Sequence, residues 1–234
     1  MVSCENSLKR SKSYIFGFDK LVEGGFPDGS SILVNGSPGA GKTIFSLQYL
    51  VNGAINDNEK GIYFTFEEKK EALFLQAKQF GWDLEDLEKE GRLKIISIGI
   101  NLVDKYSVSD MAEIIHDFDA KRVVVDSITT LSFLVDNTLD YSSFNIRANC
   151  LLFKLIDRFK KISGLNLLLI SQKDAPSTNF AEFICDGLLE FSSESLGGNY
   201  SRNLSIKKMR NTKNDSDLHP IEICDEGIKI HTFF

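Results

Sequence analysis

The sequence predicts an α/β fold in which a mostly parallel sheet carries helices on both faces. Up to about residue 170, short apolar runs rich in Val and Ile alternate with segments whose apolar residues have helical spacing. From Gly187 onward, strand-like runs are separated only by turns, which predicts antiparallel strands at the C-terminal edge of the sheet. The 234 residues are 42% hydrophobic and show no internal repeat, so we predict one domain over residues 1–234.

The individual elements follow from periodicity and from turn residues. Residues 1–14 are polar and are predicted to form a flexible N-terminal arm. The predicted strands are 31–34, 61–66, 93–97, 122–126, 167–171, 187–191, 204–209, 221–224 and 227–231. The predicted helices are 44–55, 69–80, 84–90, 108–118 and 146–162. Segment 132–145 is polar without clear periodicity, which predicts a long loop.

Composition limits the classes of function. The formal charge is −6 and the pI about 5.2, so the chain has no general attraction to nucleic acid and any such binding must be local. The four cysteines are far apart and form no C-x-x-C pair, which predicts small buried hydrophobes in a reducing compartment. No apolar run approaches the roughly 18 residues of a membrane span, and the N-terminus lacks a signal-peptide core. We therefore expect a cytoplasmic protein that does not bind membranes.

A phosphate loop connects the first long strand to the first long helix. Residues 36–43, G-S-P-G-A-G-K-T, fit the pattern of a glycine, four residues, then Gly-Lys and Ser or Thr. The run 31–34 before them is apolar and β-branched, as a buried strand should be, and the apolar residues after them have helical spacing. Because the motif lies between a strand and a helix, nucleotide binding explains it better than a chance glycine-rich turn.

The residue types of this loop suit a triphosphate. Glycines let successive N–H groups turn inward to form an anion-binding nest, and the helix N-terminus adds about half a positive charge. Lys42 supplies an ammonium for the β and γ phosphates, and the Thr43 hydroxyl can ligate Mg²⁺. The predicted cofactors are ATP and Mg²⁺, and ADP is the predicted product. The residues predicted to bind the nucleotide in this loop are Ser37, Pro38, Gly39, Ala40, Gly41, Lys42, Thr43 and Ile44.

Acidic residues end two other predicted strands. Asp126 closes the apolar run 123–125 and suits a metal-anchoring acid, although an ordinary acid at a strand exit is the alternative. Glu67 and Glu68 could orient the attacking water, but acids also suit the first turn of a helix, and the residues alone leave both open. Since the carboxyl ends of neighbouring parallel strands meet at one edge, we expect these acids near the phosphate loop.

Polar residues at two further strand ends are candidate catalytic groups. Gln172 could sense the γ-phosphate through a hydrogen bond, or it could start a turn. Lys208 and Arg210 share one face of a strand, while Lys207 and Met209 take the other. Two like cations on one face repel each other and favour an anion, but solvated lysines on an edge strand are a common alternative.

The sequence resembles the KaiC-like ATPases of the RecA superfamily over nearly its whole length. The phosphate loop alone is shared by many enzymes, whereas the double Glu together with Phe-Gly-Trp-Asp-Leu is far more specific. The resemblance implies a RecA-like P-loop NTPase fold and a single-domain member of the family. It rests on residues 17–19 with 24–25, the phosphate loop, 64–68, 80–84, 123–127, and 208–210 followed by 219–220.

The resemblance also implies roles that the residues alone left open. In that family the paired glutamates act on the attacking water, which matches Glu67 and Glu68. The family's Lys-x-Arg reaches across a subunit boundary to the γ-phosphate of the neighbour, which implies that role for Lys208 and Arg210. The resemblance implies further nucleotide contacts at Gln79, Met209, Thr212 and Asn214. The family often has His at the position of Asn214.

Two functions follow from these expectations. The first is a Mg²⁺-dependent ATPase that assembles into a ring, expected to be a hexamer, or a filament, with each site completed by the neighbouring subunit. The alternative is a recombinase-paralogue-type DNA-binding or regulatory module in which ATP controls assembly. The clock proteins carry two such domains and this chain one, so a circadian role is not implied. A small-molecule kinase is disfavoured, because nothing resembles an Arg-rich substrate lid.

The recombinase analogy places DNA-contacting loops at about residues 132–147 and 173–186. The first loop contains only Arg147 as a cation, and Lys173 in the second is offset by Asp174 and Glu182. Affinity for nucleic acid grows with the number of phosphates that are neutralised, so binding to single-stranded DNA is predicted to be weak.

Overall fold

The computed structural model describes residues 8–99, 107–132, 141–173, 175, 178–193 and 201–232. The strands are β1 (Arg10–Ser11), β2 (Phe26–Pro27), β3 (Ser31–Gly36), β4 (Gly61–Thr65), β5 (Leu93–Ser97), β6 (Arg122–Asp126), β7 (Asn166–Gln172), β8 (Gly187–Ser192), β9 (Arg202–Met209), β10 (His219–Cys224) and β11 (Gly227–Ile230). The helices are α1 (Phe18–Leu21), α2 (Lys42–Asn56), α3 (Lys70–Lys78), α4 (Leu84–Lys89), α5 (Val108–Phe118), α6 (Ile128–Ser132), α7 (Tyr141–Lys160) and α8 (Thr178–Ile184).

The main sheet has nine strands in the order β11-β10-β9-β8-β3-β7-β6-β4-β5. The six strands from β8 to β5 are parallel to their neighbours, while β9, β10 and β11 are added antiparallel at one edge. The predicted α/β class, with a mostly parallel sheet and antiparallel strands at the C-terminal edge, is therefore confirmed. The antiparallel part begins one strand later than expected, because β8 pairs parallel to β3.

Helices cover both faces of this sheet because side chains alternate along each strand. On β3, Ile32 and Val34 pack into the core that contains the apolar side of α2, whereas Leu33 packs into the core formed with α5 and α7. On β4, Tyr63 faces the α2 side and its neighbours in sequence face the other. Runs that are apolar at every position thus supply two cores at once.

The prediction of a flexible arm over residues 1–14 is wrong for its described part. Residues 1–7 lie outside the described residues. Arg10 and its neighbour pair with β2, and the Arg10 guanidinium donates to the carbonyl oxygens of Val22 and Gly25 at 3.2 and 3.1 Å. The N–H and hydroxyl of Ser13 donate to Asp19 at 2.9 and 2.7 Å. These partners lie elsewhere in the chain, so local composition could not reveal them.

Four of the described helices differ from the sequence prediction by more than two residues. The short helices α1 and α6, of 4 and 5 residues, were not predicted. Helix α7 begins at Tyr141, five residues before the predicted start, because its polar first turn shows no apolar periodicity. The remainder of the predicted loop, residues 133–140, lies outside the described residues. Helix α8 was not predicted at all, since it is only 7 residues long and lies within a segment interpreted as a loop.

The cysteine prediction is wrong at one position. Cys185 is buried and Cys224 half-buried, but Cys150 is exposed on α7. Cys4 lies outside the described residues. Among the helices described, none combines the length and apolar character that crossing a bilayer requires.

Candidate functional site

The phosphate loop lies where β3 ends and α2 begins, as predicted. A Cβ atom at Gly36 would lie 2.1 Å from the carbonyl oxygen of Phe191, so only glycine fits beside β8. Gly41 caps the N-terminus of α2 with φ 104°, a conformation that glycine adopts without steric cost. The free N–H groups of the first turn of α2 therefore follow directly on the loop, as anion binding requires.

Lys42 is the buried cation of this loop. Its side chain is held within the loop, where the ammonium donates to the carbonyl oxygens of Gly36 at 2.7 Å and Ser37 at 2.9 Å. Burial lowers its pKa, while the carboxylates of Asp126 and Glu67 act in the opposite direction. Among the described residues, no carboxylate lies within ion-pair distance of Lys42. An ammonium held by carbonyls alone can still accept a phosphate as its counter-ion.

Asp126 and Thr43, the two residues predicted to hold Mg²⁺, lie within hydrogen-bond distance of each other. The Thr43 hydroxyl donates to Asp126 Oδ2 at 3.3 Å, and the Tyr63 hydroxyl donates to the same oxygen at 2.5 Å. Burial raises the pKa of Asp126 to about 6, against the effect of the Tyr63 hydrogen bond. Carboxylate and hydroxyl oxygens are ligands that Mg²⁺ accepts, so this donor set fits the ion.

The other predicted groups lie at the carboxyl ends of neighbouring strands. In the sheet, Gln172 pairs with Gly36, and Asp126 pairs with Thr65 two residues before Glu67. Because β3, β7, β6 and β4 are neighbours in this order in the sheet, the phosphate loop, Gln172, Asp126 and the glutamates lie along the edge formed by the carboxyl ends of these strands. The Gln172 N–H donates to Thr129 at 3.1 Å, and its side chain is exposed.

The two glutamates have different surroundings. The Glu67 carboxylate accepts hydrogen bonds from the hydroxyls of Ser127 and Thr130, the latter at 2.6 Å, which anchors it to the end of β6. Glu68 lines the cavity over the phosphate loop, and burial together with the charge of Glu67 raises its pKa. Both carboxylates are therefore available at this edge, one anchored by hydroxyls and one facing the cavity.

The cavity has a volume of about 240 Å³, and three of its lining residues, Gln76, Arg202 and Ile223, were not predicted. Gln76 of α3 faces it, and its buried Oε1 has no hydrogen-bond partner among the described residues. Arg202 of β9 lines it from the other side and donates to the carbonyl oxygen of Gly39 at 2.9 Å. The sequence predicted a nucleotide contact at Gln79, which is exposed at the C-terminus of α3. Gln76 lies one helical turn earlier, and this spacing from Gln79 is the weak signal by which the sequence could have indicated it.

A family comparison identifies the class of protein to which this site belongs. The family model described as "ATPase: KaiC" matches residues 11–233. The chain belongs to the KaiC family of ATPases.

Similar proteins extend this result. A UPF0273 protein of Thermotoga maritima is 32% identical over 244 residues, which span 96% of this chain and 96% of that protein. The circadian clock oscillator protein KaiC of Synechococcus elongatus is 33% identical over 237 residues, which span 96% of this chain but 44% of that protein. The crystal structure of a KaiC-like protein from Pyrococcus horikoshii matches with a TM-score of 0.84 at 31% identity, covering 96% of this chain and 100% of that one. The RecA-like fold implied by the sequence is confirmed.

The Lys-x-Arg pair of this KaiC-family chain lies away from its own phosphate loop. The Lys208 ammonium donates to the carbonyl oxygens of Glu182, Phe183 and Cys185 at the end of α8, at 2.9, 3.2 and 2.6 Å. The Arg210 guanidinium forms an ion pair with Asp186 at 3.3 Å. The two cations were expected to favour an anion, and Arg210 has one in Asp186, which is distant in sequence.

The remaining nucleotide contacts implied by the family are engaged within the chain. The Met209 side chain is buried in the core against Gly187, so only its backbone could reach a nucleotide. Thr212 accepts a hydrogen bond from Arg10 at 3.0 Å, and the Asn214 amide donates to the carbonyl oxygen of Ile206 at 2.8 Å. These contacts order the turn after β9 in the isolated chain.

Proposed function

We propose that this KaiC-family chain binds ATP with Mg²⁺ at the phosphate loop and hydrolyses the γ-phosphate bond. The observation that carries the proposal is the convergence at one edge of the sheet. Lys42, Thr43 and Glu68 line one cavity, Asp126 accepts a hydrogen bond from Thr43, and Glu67 accepts one from Ser127 next to Asp126. These residues come from three separate strand ends.

Each residue has a role that its surroundings support. Lys42 and the N–H groups at the start of α2 bind the phosphates, while Thr43 and Asp126 hold Mg²⁺. Bound Mg²⁺ neutralises phosphate charge and fixes its orientation. Glu67 and Glu68 orient a water molecule and take its proton as its oxygen attacks the γ-phosphorus and the bond to ADP breaks. Gln172, beside Gly36, is placed to sense the γ-phosphate.

We further propose that the site is completed by a second copy of the chain. Lys208 pairs in register with Leu188, and Leu188 with Leu33, three residues before Gly36. Three strand residues span about 10 Å. Lys208 and Arg210 also donate to carbonyl oxygens of α8, on the face of the sheet opposite to α2. The pair therefore lies too far from its own phosphate loop to act there, which favours a role at the loop of a neighbour.

An exposed apolar surface supports self-association of the chain. It consists of Ile146 and Phe153, which are 64% and 55% exposed and line a cavity of about 340 Å³, and of Phe183 on α8, which is 77% exposed. Exposed apolar clusters of this kind mark interaction surfaces. Both Lys208 and Arg210 contact the carbonyl oxygen of Phe183, so a copy that docks here is brought to the pair. We infer a closed ring, expected to be a hexamer, or a filament.

Mixing two inactive variants tests the shared site. Lys42→Ala lacks a working phosphate loop, and Arg210→Ala lacks the arginine that can be worth about 1,000-fold in rate. After subunit exchange, verified by native mass spectrometry, some interfaces combine an intact loop with an intact arginine. ATPase activity should then recover above that of either variant alone.

The matched control mixes Lys42→Ala with Thr43→Ala, in which every phosphate loop is defective and no recovery is expected. Absence of recovery in proven Lys42→Ala and Arg210→Ala mixtures would show that Arg210 does not act in the neighbour. It would leave ATP binding at the phosphate loop unaffected.

The DNA-binding alternative rests on loops that fall partly outside the described residues. In the described parts of these loops, Arg147 is exposed and the Lys173 ammonium lies 3.9 Å from a carboxylate oxygen of Glu190. Residues 178–184 form α8 rather than a loop. No observation favours this alternative over ATP hydrolysis. Measuring ATP turnover with and without single-stranded DNA distinguishes the two, since only the alternative expects a strong effect.

A further inference from the structure

The buried hydroxyl of Tyr63 contacts the proposed metal site. Tyr63 lies in the middle of β4, and its side chain is fully buried beneath the start of α2. Its hydroxyl donates to Asp126 Oδ2 at 2.5 Å, while the Thr43 hydroxyl donates to the same oxygen at 3.3 Å. One carboxylate oxygen is thus shared by a tyrosine from the core and by the proposed magnesium ligand.

We propose that Tyr63 is a positioning residue that holds the Asp126 carboxylate in the orientation that Mg²⁺ binding requires. The inference rests on the proposed function, because it assigns Mg²⁺ to Thr43 and Asp126. A carboxylate at the end of a strand can rotate about its side-chain torsions, and a hydrogen bond from a group that cannot move removes this freedom. The ring of Tyr63 is such a group, because core residues surround it.

The hydroxyl, rather than the ring, carries this role. The buried residues of the core that contains Tyr63 are hydrophobic, so an aromatic ring without a hydroxyl satisfies the packing there. A buried hydroxyl costs free energy unless it is hydrogen-bonded, and the Tyr63 hydroxyl is hydrogen-bonded to Asp126 at 2.5 Å and also to Thr43. A phenylalanine here would keep the packing and remove only the hydrogen bonds of the hydroxyl.

Tyr49 provides a matched comparison. It is also fully buried on the α2 side, and its hydroxyl shares a hydrogen bond with Ser11 at 3.0 Å, away from the proposed metal site. Removing either hydroxyl deletes one oxygen atom and the buried hydrogen bonding that it provides. Effects common to both variants report general stability, and effects confined to Tyr63 report the metal site.

The test measures how strongly Mg²⁺ tightens ADP binding in calorimetric titrations with Mg²⁺ and with EDTA. For Tyr63→Phe we expect unchanged affinity in EDTA and a loss of about 10-fold or more in the Mg²⁺-dependent tightening. Residues that orient metal ligands commonly contribute 10- to 100-fold to metal affinity, roughly. Tyr49→Phe should keep the wild-type tightening.

A Tyr63→Phe protein that keeps the wild-type tightening within about 2-fold would reduce Tyr63 to a packing residue. Asp126→Asn separates this result from a failure of the proposed function. If Asp126→Asn also keeps the full tightening, the metal site itself is wrongly assigned. If it abolishes the tightening, adding Tyr63→Phe should have no further effect.

Circular dichroism establishes whether the variants fold. If Tyr63→Phe does not fold, site-specific 3-fluorotyrosine at position 63 retains the hydroxyl and provides a ¹⁹F signal. Addition of Mg²⁺ to the ADP complex should shift that signal, whereas the same label at position 49 should not respond. A signal at position 63 that Mg²⁺ leaves unchanged would overturn the proposal.

Discussion

The buried charges at the two ends of strand β6 have different partners. Strand β6 begins with Arg122, whose side chain is 0% exposed, and ends with Asp126, which is 6% exposed. Arg122 has ion pairs with Asp57 at 2.9 Å and Glu59 at 2.7 Å, and its guanidinium stacks on the ring of Tyr49. Asp126 instead accepts only neutral hydroxyl donors in the contacts described, from residues 43 and 63.

The same contrast separates the two buried cations. Lys42, 8% exposed, is bonded to carbonyl oxygens, whereas Arg122 is neutralised by carboxylates of its own chain. Burying an uncompensated charge is costly, so a chain that tolerates one needs a ligand or accepts lower stability. Arg122 at the amino end of β6 therefore stabilises the fold, whereas Asp126 at its carboxyl end and Lys42 in the phosphate loop are charges available to a ligand.

The largest expected effect is on turnover at the carboxyl end. Replacing both Glu67 and Glu68 with Gln should leave ATP binding intact and lower the rate by about 100- to 10,000-fold, the usual contribution of a general base. Single-turnover kinetics with calorimetry checks both parts. Glu71→Gln, an exposed acid in the first turn of α3, is the control. A double variant within a few-fold of wild type would show that the pair does not serve turnover.

The next largest effect is on stability at the amino end. Arg122→Met should lower the free energy of unfolding by about 3 kcal/mol, because it leaves two partly buried carboxylates without their cation. Arg92→Met, which removes a more exposed Arg–Glu pair, should cost less than about 1 kcal/mol. Urea unfolding measures both. Nucleotide affinity below the unfolding transition should be unchanged, and a large loss of affinity in Arg122→Met would contradict the division between the two ends.

The smallest expected effect is a loss of nucleotide affinity without a loss of stability, the opposite of the result expected for Arg122→Met. Lys42→Ala should weaken ATP binding by about 10- to 100-fold, since one charge-assisted contact to phosphate is lost. Its free energy of unfolding without nucleotide should stay within about 1 kcal/mol of wild type, because a buried ammonium contributes little there. Calorimetry and urea unfolding on one preparation give both values, and Lys20→Ala on the surface is the control. Lost stability with unchanged affinity would place Lys42 among the structural charges.

The fold followed from local patterns to a large extent. Strands β5 and β6 and helix α5 have the predicted bounds, because apolar runs and amphipathic spacing there depend on neighbours in sequence. The phosphate loop is likewise a local feature. Its glycines, its lysine and its position between a strand and a helix are all visible within about twenty residues.

Tertiary structure decided everything that depends on a partner remote in the chain. Three sets of contacts join residues from 12 to 202 positions apart. Asp186 is the counter-ion of Arg210, Arg10 anchors the N-terminal segment, and Arg202 lines the cavity over the phosphate loop. The sequence shows the charge of each residue but not the residue with which it will form an ion pair or hydrogen bond. That partner depends on the order of strands in the sheet, which is fixed only by tertiary packing.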